Sequence, residues 1–335
     1  MAITTAGVTP RPIDPGVVRG LFGDRLGQSA LWAKALEMAP LIDMGQTSGT
    51  MPIDGTYRGI DLAENPKAAT EVALTGTDYA DISVKLDTET FALARYIIGK
   101  FEHSYLAAGK LEADNGVEIE EYVARIFADK AAALHYYHTI TAITTTGNYA
   151  TGYQADGGDI TSASFDLIGL CRTAGDQLIK AQAWDGVSAL NVVMSNDVLE
   201  YFQSLTQVRN RIGTANDTYI TPSMAGEWFA EYLNAPVNFV LDRGFYRNAS
   251  QTVTPNSTGM IAFYVPKVGK QGRGHVCTMA ASALPGGLMD LRTESNNALA
   301  GGGQNLYADA FYDVHVENIE SAGSTSGYLA HTLLS

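Results

Sequence analysis

The stretch 221–248 constrains this chain more than any other. Thr221 is a helix-capping residue, and Pro222 follows at the first helical position. Met224, Trp228 and Tyr232 then fall on one side of a short helix. After Ala235-Pro236, the residues Val237, Phe239 and Leu241 alternate as those of a strand do. Phe245-Tyr246-Arg247-Asn248 ends the segment as an exposed aromatic turn. A capped helix, a buried strand and a turn follow one another, and none of them carries a catalytic group.

The rest of the chain supplies the surroundings for that unit. Its 335 residues allow a sizeable core, and a hydrophobic share of 46% excludes wholesale disorder. Charged residues reach only 17%, beside 34 glycines and 17 tyrosines. Much of the polar surface therefore falls to Ser, Thr, Asn and Tyr, which are cheap to desolvate against a partner. A net charge of -14 gives no bulk attraction to nucleic acid. Cys171 and Cys277 sit on a predicted helix and strand and read as small buried hydrophobes; two cysteines make no disulfide framework. The first residues lack a basic region followed by an apolar core, so they do not read as a signal peptide. No apolar run approaches the roughly 18 residues that span a bilayer.

Along the chain, residues 1–50 read as a weakly structured arm, because Pro10, Pro12 and Pro15 discourage regular structure. One short helix is expected over 28–38, with Leu31, Ala35 and Met38 on one side. Residues 51–100 read as extended. Ile82, Val84 and Leu86 alternate with Ser83, Lys85 and Asp87, and a turn falls near Gly76 and Asp78. A long hairpin with so few large apolar residues has to rest on a neighbour. Residues 116–143 form the strongest helix. Glu118, Glu120 and Glu121 crowd its first turn, and Ile119, Val123, Ile126, Lys130, Ala133, Tyr137 and Ile140 form the expected inward line. A helix over 165–182 places Leu167, Cys171, Ala174 and Leu178 on one face. A short strand at 190–194 leads to a helix capped at Ser195-Asn196-Asp197, and 206–220 reads as a polar loop. The last third reads as strands at 260–265, 275–281, 288–293 and 307–319.

Chemistry is sparse. There is no Walker A loop, no dinucleotide fingerprint, no His-Glu-x-x-His and no nucleophile elbow. His135 and His138 share a helix face, but a metal site needs further ligands and a supporting shell, so they read as an exposed or interfacial aromatic patch. Asp156-Gly-Gly-Asp159 lacks the alternating oxygen ligands of a calcium loop and reads as a turn. Lys267, Lys270, Arg273 and His275, with glycines between them, read as a solvated hairpin tip able to meet a phosphate or an acidic neighbour. No catalytic residue, cofactor or metal is expected.

The order of these pieces resembles the tailed-phage major capsid proteins (the HK-type capsid fold), best over 117–250. The resemblance implies an α+β phage major capsid fold. Its parts are an N-terminal arm (1–50), an extended E-loop hairpin (51–100), a peripheral domain (101–160 and 288–335) with a long spine helix (117–143), and an axial domain (161–287). It implies a non-enzymatic structural protein. Copies would assemble into pentamers and hexamers of an icosahedral shell around double-stranded DNA, which is enclosed without sequence-specific binding and away from any membrane. An acidic inner wall would keep that DNA from sticking. A separate scaffolding protein, a portal and decoration proteins are the further partners. The location is the virion capsid, after assembly in the bacterial host cytoplasm. Trp32 of the arm, Lys67, Asp78 and Lys85 of the extended segment, and Lys267, Lys270 and Arg273 of the basic loop are the expected contact residues. The alternatives are a bacterial nanocompartment shell of the same fold, or an enzyme with a loop-borne site.

Overall fold

The first helix begins where the Asp14 carboxylate accepts the Gly16 N–H and Pro15 takes the first helical position. The computed structural model describes residues 12–54, 86–105, 116, 118–156, 158–162, 164–181, 183–212, 220–270, 274–282, 284–299, 302–319, 324–325 and 327–334. The elements run α1 (Pro15–Gln28), α2 (Ala30–Met38), β1 (Leu41–Asp43), β2 (Ser48–Asp54), β3 (Leu86–Ala92), β4 (Ala94–Ser104), α3 (Ile119–Thr144) and β5 (Gln154–Asp156). Next come α4 (Leu167–Lys180), β6 (Leu190–Ser195), α5 (Asn196–Phe202), α6 (Thr206–Ile212), α7 (Pro222–Leu233), β7 (Val237–Asp242), β8 (Phe245–Arg247) and β9 (Val253–Pro255). The chain ends with β10 (Ile261–Tyr264), β11 (Val276–Ala280), β12 (Met289–Ser295), β13 (Gly303–Val316), β14 (Asn318–Ile319), β15 (Ser324–Thr325) and β16 (Gly327–His331). The class is α+β, as expected.

Two five-stranded sheets organise these elements. In one, the strands run β1-β11-β13-β12, and β4 pairs with the long β13. In the other the order is β5-β16-β10-β6-β7. The pairings cross the segment boundaries expected from sequence. β1 from the arm and β11 from the expected axial segment join the first sheet, whereas β16, near the C-terminal end, joins the second. β2 and β3 pair antiparallel from Ser48 with Ala92 to Asp54 with Leu86. Residues 55–85, which hold Lys67, Asp78, Lys85 and most of the expected alternating strand, lie outside the described residues.

The arm departs most from expectation. Far from lacking a core, residues 15–38 fold as two helices on their own chain. Val18, Phe22 and Leu26 of α1 are buried against Val123, Phe127 and Ala131 of α3 and Leu306 and Ala308 of β13, in one cluster. In α2 the buried face is Trp32, Ala35 and Met38, whereas Leu31, expected inside, is 45% exposed. Each fully buried Val, Leu or Phe contributes roughly 1.5–3 kcal/mol. The prolines misled because Pro15 sits where a helix tolerates proline best.

Helix α3 has 26 residues and is roughly 39 Å long. Its buried residues fall in adjacent pairs every four positions, from Val123-Ala124 to Thr139-Ile140, so the covered face winds about the helix as α1, α2, β4 and β13 pack on it. The expected inward line therefore holds only at its ends. Ile126, Lys130 and Ala133 face outward, while Ala124, Phe127, Ala128, Ala131 and Ala132 are buried. Alanines along these stripes let neighbouring layers approach closely.

The middle of the chain follows its periodicity. Leu167, Cys171, Ala174 and Leu178 of α4 are all buried, as are all six residues of β6. In α7 Trp228 is buried, with Phe229 and Leu233 beside it, whereas Met224 and Tyr232 are half-buried. The expected polar loop at 206–220 begins with helix α6. A third cluster joins the two sheets: Met38, Tyr136, Ile140, Val193, Val240, Tyr264, Val276 and Leu329 pack together. The arm and the spine helix thus share one core with both sheets. Phe22→Ala should lower unfolding free energy by about 3–5 kcal/mol, read by urea denaturation, whereas Leu31→Ala should change it by less than about 0.5 kcal/mol. Equal, small effects would mean that α1 does not pack on α3.

Candidate functional site

His135 lies in the core and His138 is half-buried beside it. His135 is fully buried, its Nε2 2.8 Å from the Thr278 hydroxyl. That hydroxyl donates to the Ala39 carbonyl at 3.1 Å, so Nε2 must carry the imidazole proton and donate it to Thr278. The Trp32 ring packs 4.5 Å from His135, and Tyr312 meets the same imidazole edge-on at 5.1 Å. His138 Nδ1 is 2.9 Å from the Tyr312 hydroxyl, and Tyr96 packs on both rings. The patch expected to be exposed or interfacial is thus a cluster joining α2, α3, β4, β11 and β13, buried at His135 and half-buried at His138 and Tyr96. Trp32, expected at a subunit contact, is 4% exposed and anchors the arm to its own chain. Among the described residues no three His, Cys, Asp or Glu side chains are placed to hold a metal ion.

The basic loop also divides. Lys267 is fully buried, with Nζ 3.0 Å from Glu317 Oε1. The approach is an ion pair by distance, too oblique for an aligned hydrogen bond. The other oxygen of Glu317 accepts the Gly274 N–H at 3.2 Å. Gly274 has to be glycine, because a Cβ there would lie 2.2 Å from the Lys267 Cα. His275 is buried between Tyr149, at 4.6 Å, and Tyr264, at 5.9 Å, and both its ring nitrogens lack a hydrogen-bond partner among the described residues. Lys267 is therefore a core residue rather than a contact residue. Lys270 remains on the surface, and Arg273 lies outside the described residues.

A third buried polar group pins a surface feature. The Asp242 carboxylate, at the end of β7, accepts from Tyr136 at 3.0 Å, Ser257 at 2.5 Å and the Gly244 N–H at 2.9 Å. The β8–β9 hairpin grows directly from this joint. Its Tyr246 packs 5.0 Å from Tyr137 of the spine helix, while Phe245 is 62% and Val253 54% exposed. The aromatic turn read from the sequence is thus a held, outward-facing hairpin. Both cysteines are buried and neither forms a disulfide among the described residues, and no helix of the described residues is long and apolar enough to cross a membrane.

Two of these buried groups predict stability effects. Lys267→Met strands a buried carboxylate and should cost about 3–5 kcal/mol, while Lys267→Met with Glu317→Leu should recover most of it. A double-mutant cycle by urea denaturation reads this, and additive losses would contradict the buried pair. Burial pushes His275 down to about 3, and burial with the neighbouring His138 does the same to His135. Both are neutral in the native state, whereas the unfolded chain protonates them near pH 6.5. Stability is therefore lost as pH falls from about 6.5 toward 3, by roughly 1.4 kcal/mol per pH unit for each imidazole. His275→Leu should flatten that slope by one such share, and an unchanged slope would place the titration elsewhere.

No protein-family model matches the chain, and no curated protein matches it in sequence. Solved structures do match. A phage-related protein from Bordetella bronchiseptica superposes over 97% of this chain and 98% of its own, with 11% identity and a TM-score of 0.63. The capsid of the cyanophage P-SCSP1u matches over 89% of this chain and 87% of its own, with 11% identity and a TM-score of 0.50. An encapsulin from Synechococcus elongatus covers 90% of this chain and 87% of its own, at 9% identity and a TM-score of 0.45, too low to weigh. At such identities the likeness is one of fold. The chain therefore has the major capsid fold of the tailed phages, the family that its order of segments resembles.

Proposed function

We propose that this chain is the major capsid subunit of a tailed phage, forming pentamers and hexamers of an icosahedral shell around double-stranded DNA. The observation that carries the reading is the near end-to-end likeness in fold to a phage-related protein, with a second to a phage capsid. The physical mechanism is heterologous contact. One patch of a subunit meets a different patch of the next, and the rotation closes into rings. A surface of low charge with many Tyr, Asn and Thr side chains suits repeated burial. The acidic balance keeps packaged DNA from adhering to the wall.

On this reading a scaffolding protein, a portal and decoration proteins are the partners, and the virion capsid, assembled in the host cytoplasm, is the location. The protein acts by assembling rather than by catalysis. Residues Lys67, Asp78 and Lys85, with Lys270 and Arg273, remain the proposed contacts. The purified protein, alone and co-expressed with its neighbouring phage genes, should sediment in the megadalton range and appear as closed shells in negative-stain images. Persistence as a monomer or small oligomer under every assembly condition would overturn the proposal. Shells that enclose a specific protein cargo instead of DNA would reassign the subunit to a nanocompartment.

A further inference from the structure

We propose that the β8–β9 hairpin is the basic, apolar knob by which one subunit seats on the acidic surface of a second copy of this chain. This rests on the assembly reading above and names a patch that carries it. Register places Phe245 opposite Pro255 and Arg247 opposite Val253, so these four side chains share one face of the ribbon. That face points outward, with Phe245, Arg247 and Val253 all exposed. The opposite face carries Tyr246, which packs on Tyr137 of α3.

The hairpin is held rigidly. Asn248 accepts the backbone N–H groups of Ser250 and Thr252, both at 3.0 Å, and closes the tip. At the base the Asn256 N–H donates to the Gly244 carbonyl at 2.9 Å, beside the Asp242 joint. A Cβ at Gly244 would lie 2.1 Å from the Asn256 amide and 2.8 Å from the Tyr136 ring, so only glycine lets the strands leave the core this closely. A preorganised patch loses little conformational freedom on binding.

Its chemistry selects the partner. Residues 243–256 contain Arg243 and Arg247 and no acidic residue, on a chain of net charge -14. Both arginines are exposed, and neither pairs with a carboxylate among the described residues; Arg247 only donates to the Gln251 carbonyl at 3.3 Å. A copy of the same chain offers the complementary charge. The exposed phenylalanine and valine distinguish a protein partner from a phosphate backbone, since aromatic and Arg side chains are enriched in protein interface cores.

The test compares wild type with Phe245→Ser/Val253→Ser, with Arg243→Glu/Arg247→Glu, and with Val187→Ser, an exposed valine elsewhere, as control. Thermal melting and far-UV circular dichroism report the fold. Sedimentation velocity and electron microscopy report assembly. Both hairpin variants should melt as wild type does but lose at least tenfold in assembled fraction, while the control assembles normally. Should either variant melt early, the milder Arg247→Ala is used, and its assembly should lose much of the wild type's salt dependence. Hairpin variants that assemble as wild type does would overturn this inference and leave the shell reading standing. A wild type that never assembles would overturn both. Arginine variants that assemble normally but no longer co-sediment with double-stranded DNA would assign the hairpin to DNA instead.

Discussion

A long helix whose buried face winds about its axis needs cover from several directions, and this chain supplies it from distant parts of its own sequence. Helices α1 and α2 and strands β4 and β13 all pack on α3. Small side chains at Ala124, Ala128, Ala131 and Ala132 permit the close approach. Everything else is referred to this arrangement. The first sheet is anchored by it, the arm is pinned to it through Trp32 and His135, and the second sheet joins it through Tyr136, Ile140 and Tyr264.

Polar groups are buried where layers meet, and three of them are matched to specific partners. Asp242 gathers three donors between the second sheet, the spine helix and the hairpin base. His135 and Thr278 tie the spine helix to β11 and to the end of α2. Lys267 and Glu317 close the connection between β10 and β11 against the end of β13. Such groups cost desolvation energy and add little net stability compared with apolar packing. They make one arrangement of the layers far better than its neighbours, because any slip leaves a buried charge or hydroxyl unpaired. On the proposed assembly reading, a subunit that must present the same patches in every copy benefits from that definition.

The readings that survived share a physical cause. Helix α4 and strand β6 bury residues in the pattern that their own periodicity announces. Thr221, Pro222 and Trp228 likewise place α7. Readings failed where burial depends on a residue far away in sequence. Lys267 looks like a surface lysine until Glu317 is brought to it. His135 and His138 look like a surface pair until Trp32, Tyr96, Thr278 and Tyr312 surround them. The middle of α3 departs from its expected line because burial there repeats every four residues and drifts around the helix as remote segments cover it. The hairpin lay between these cases, since Phe245-Tyr246-Arg247 signalled an aromatic turn, but not which ring faces out.

Local sequence determined the α+β class, most helices and strands, and the long spine helix, because capping, turn chemistry and periodicity act over a few residues. Tertiary structure decided the rest: that the arm folds home onto α3, that β16 crosses to the second sheet while β11 joins the first, and that a lysine and two histidines belong inside. Those outcomes depend on partners supplied by remote segments. An ionisable side chain carries no mark of its own that tells whether the chain will later bring it a partner.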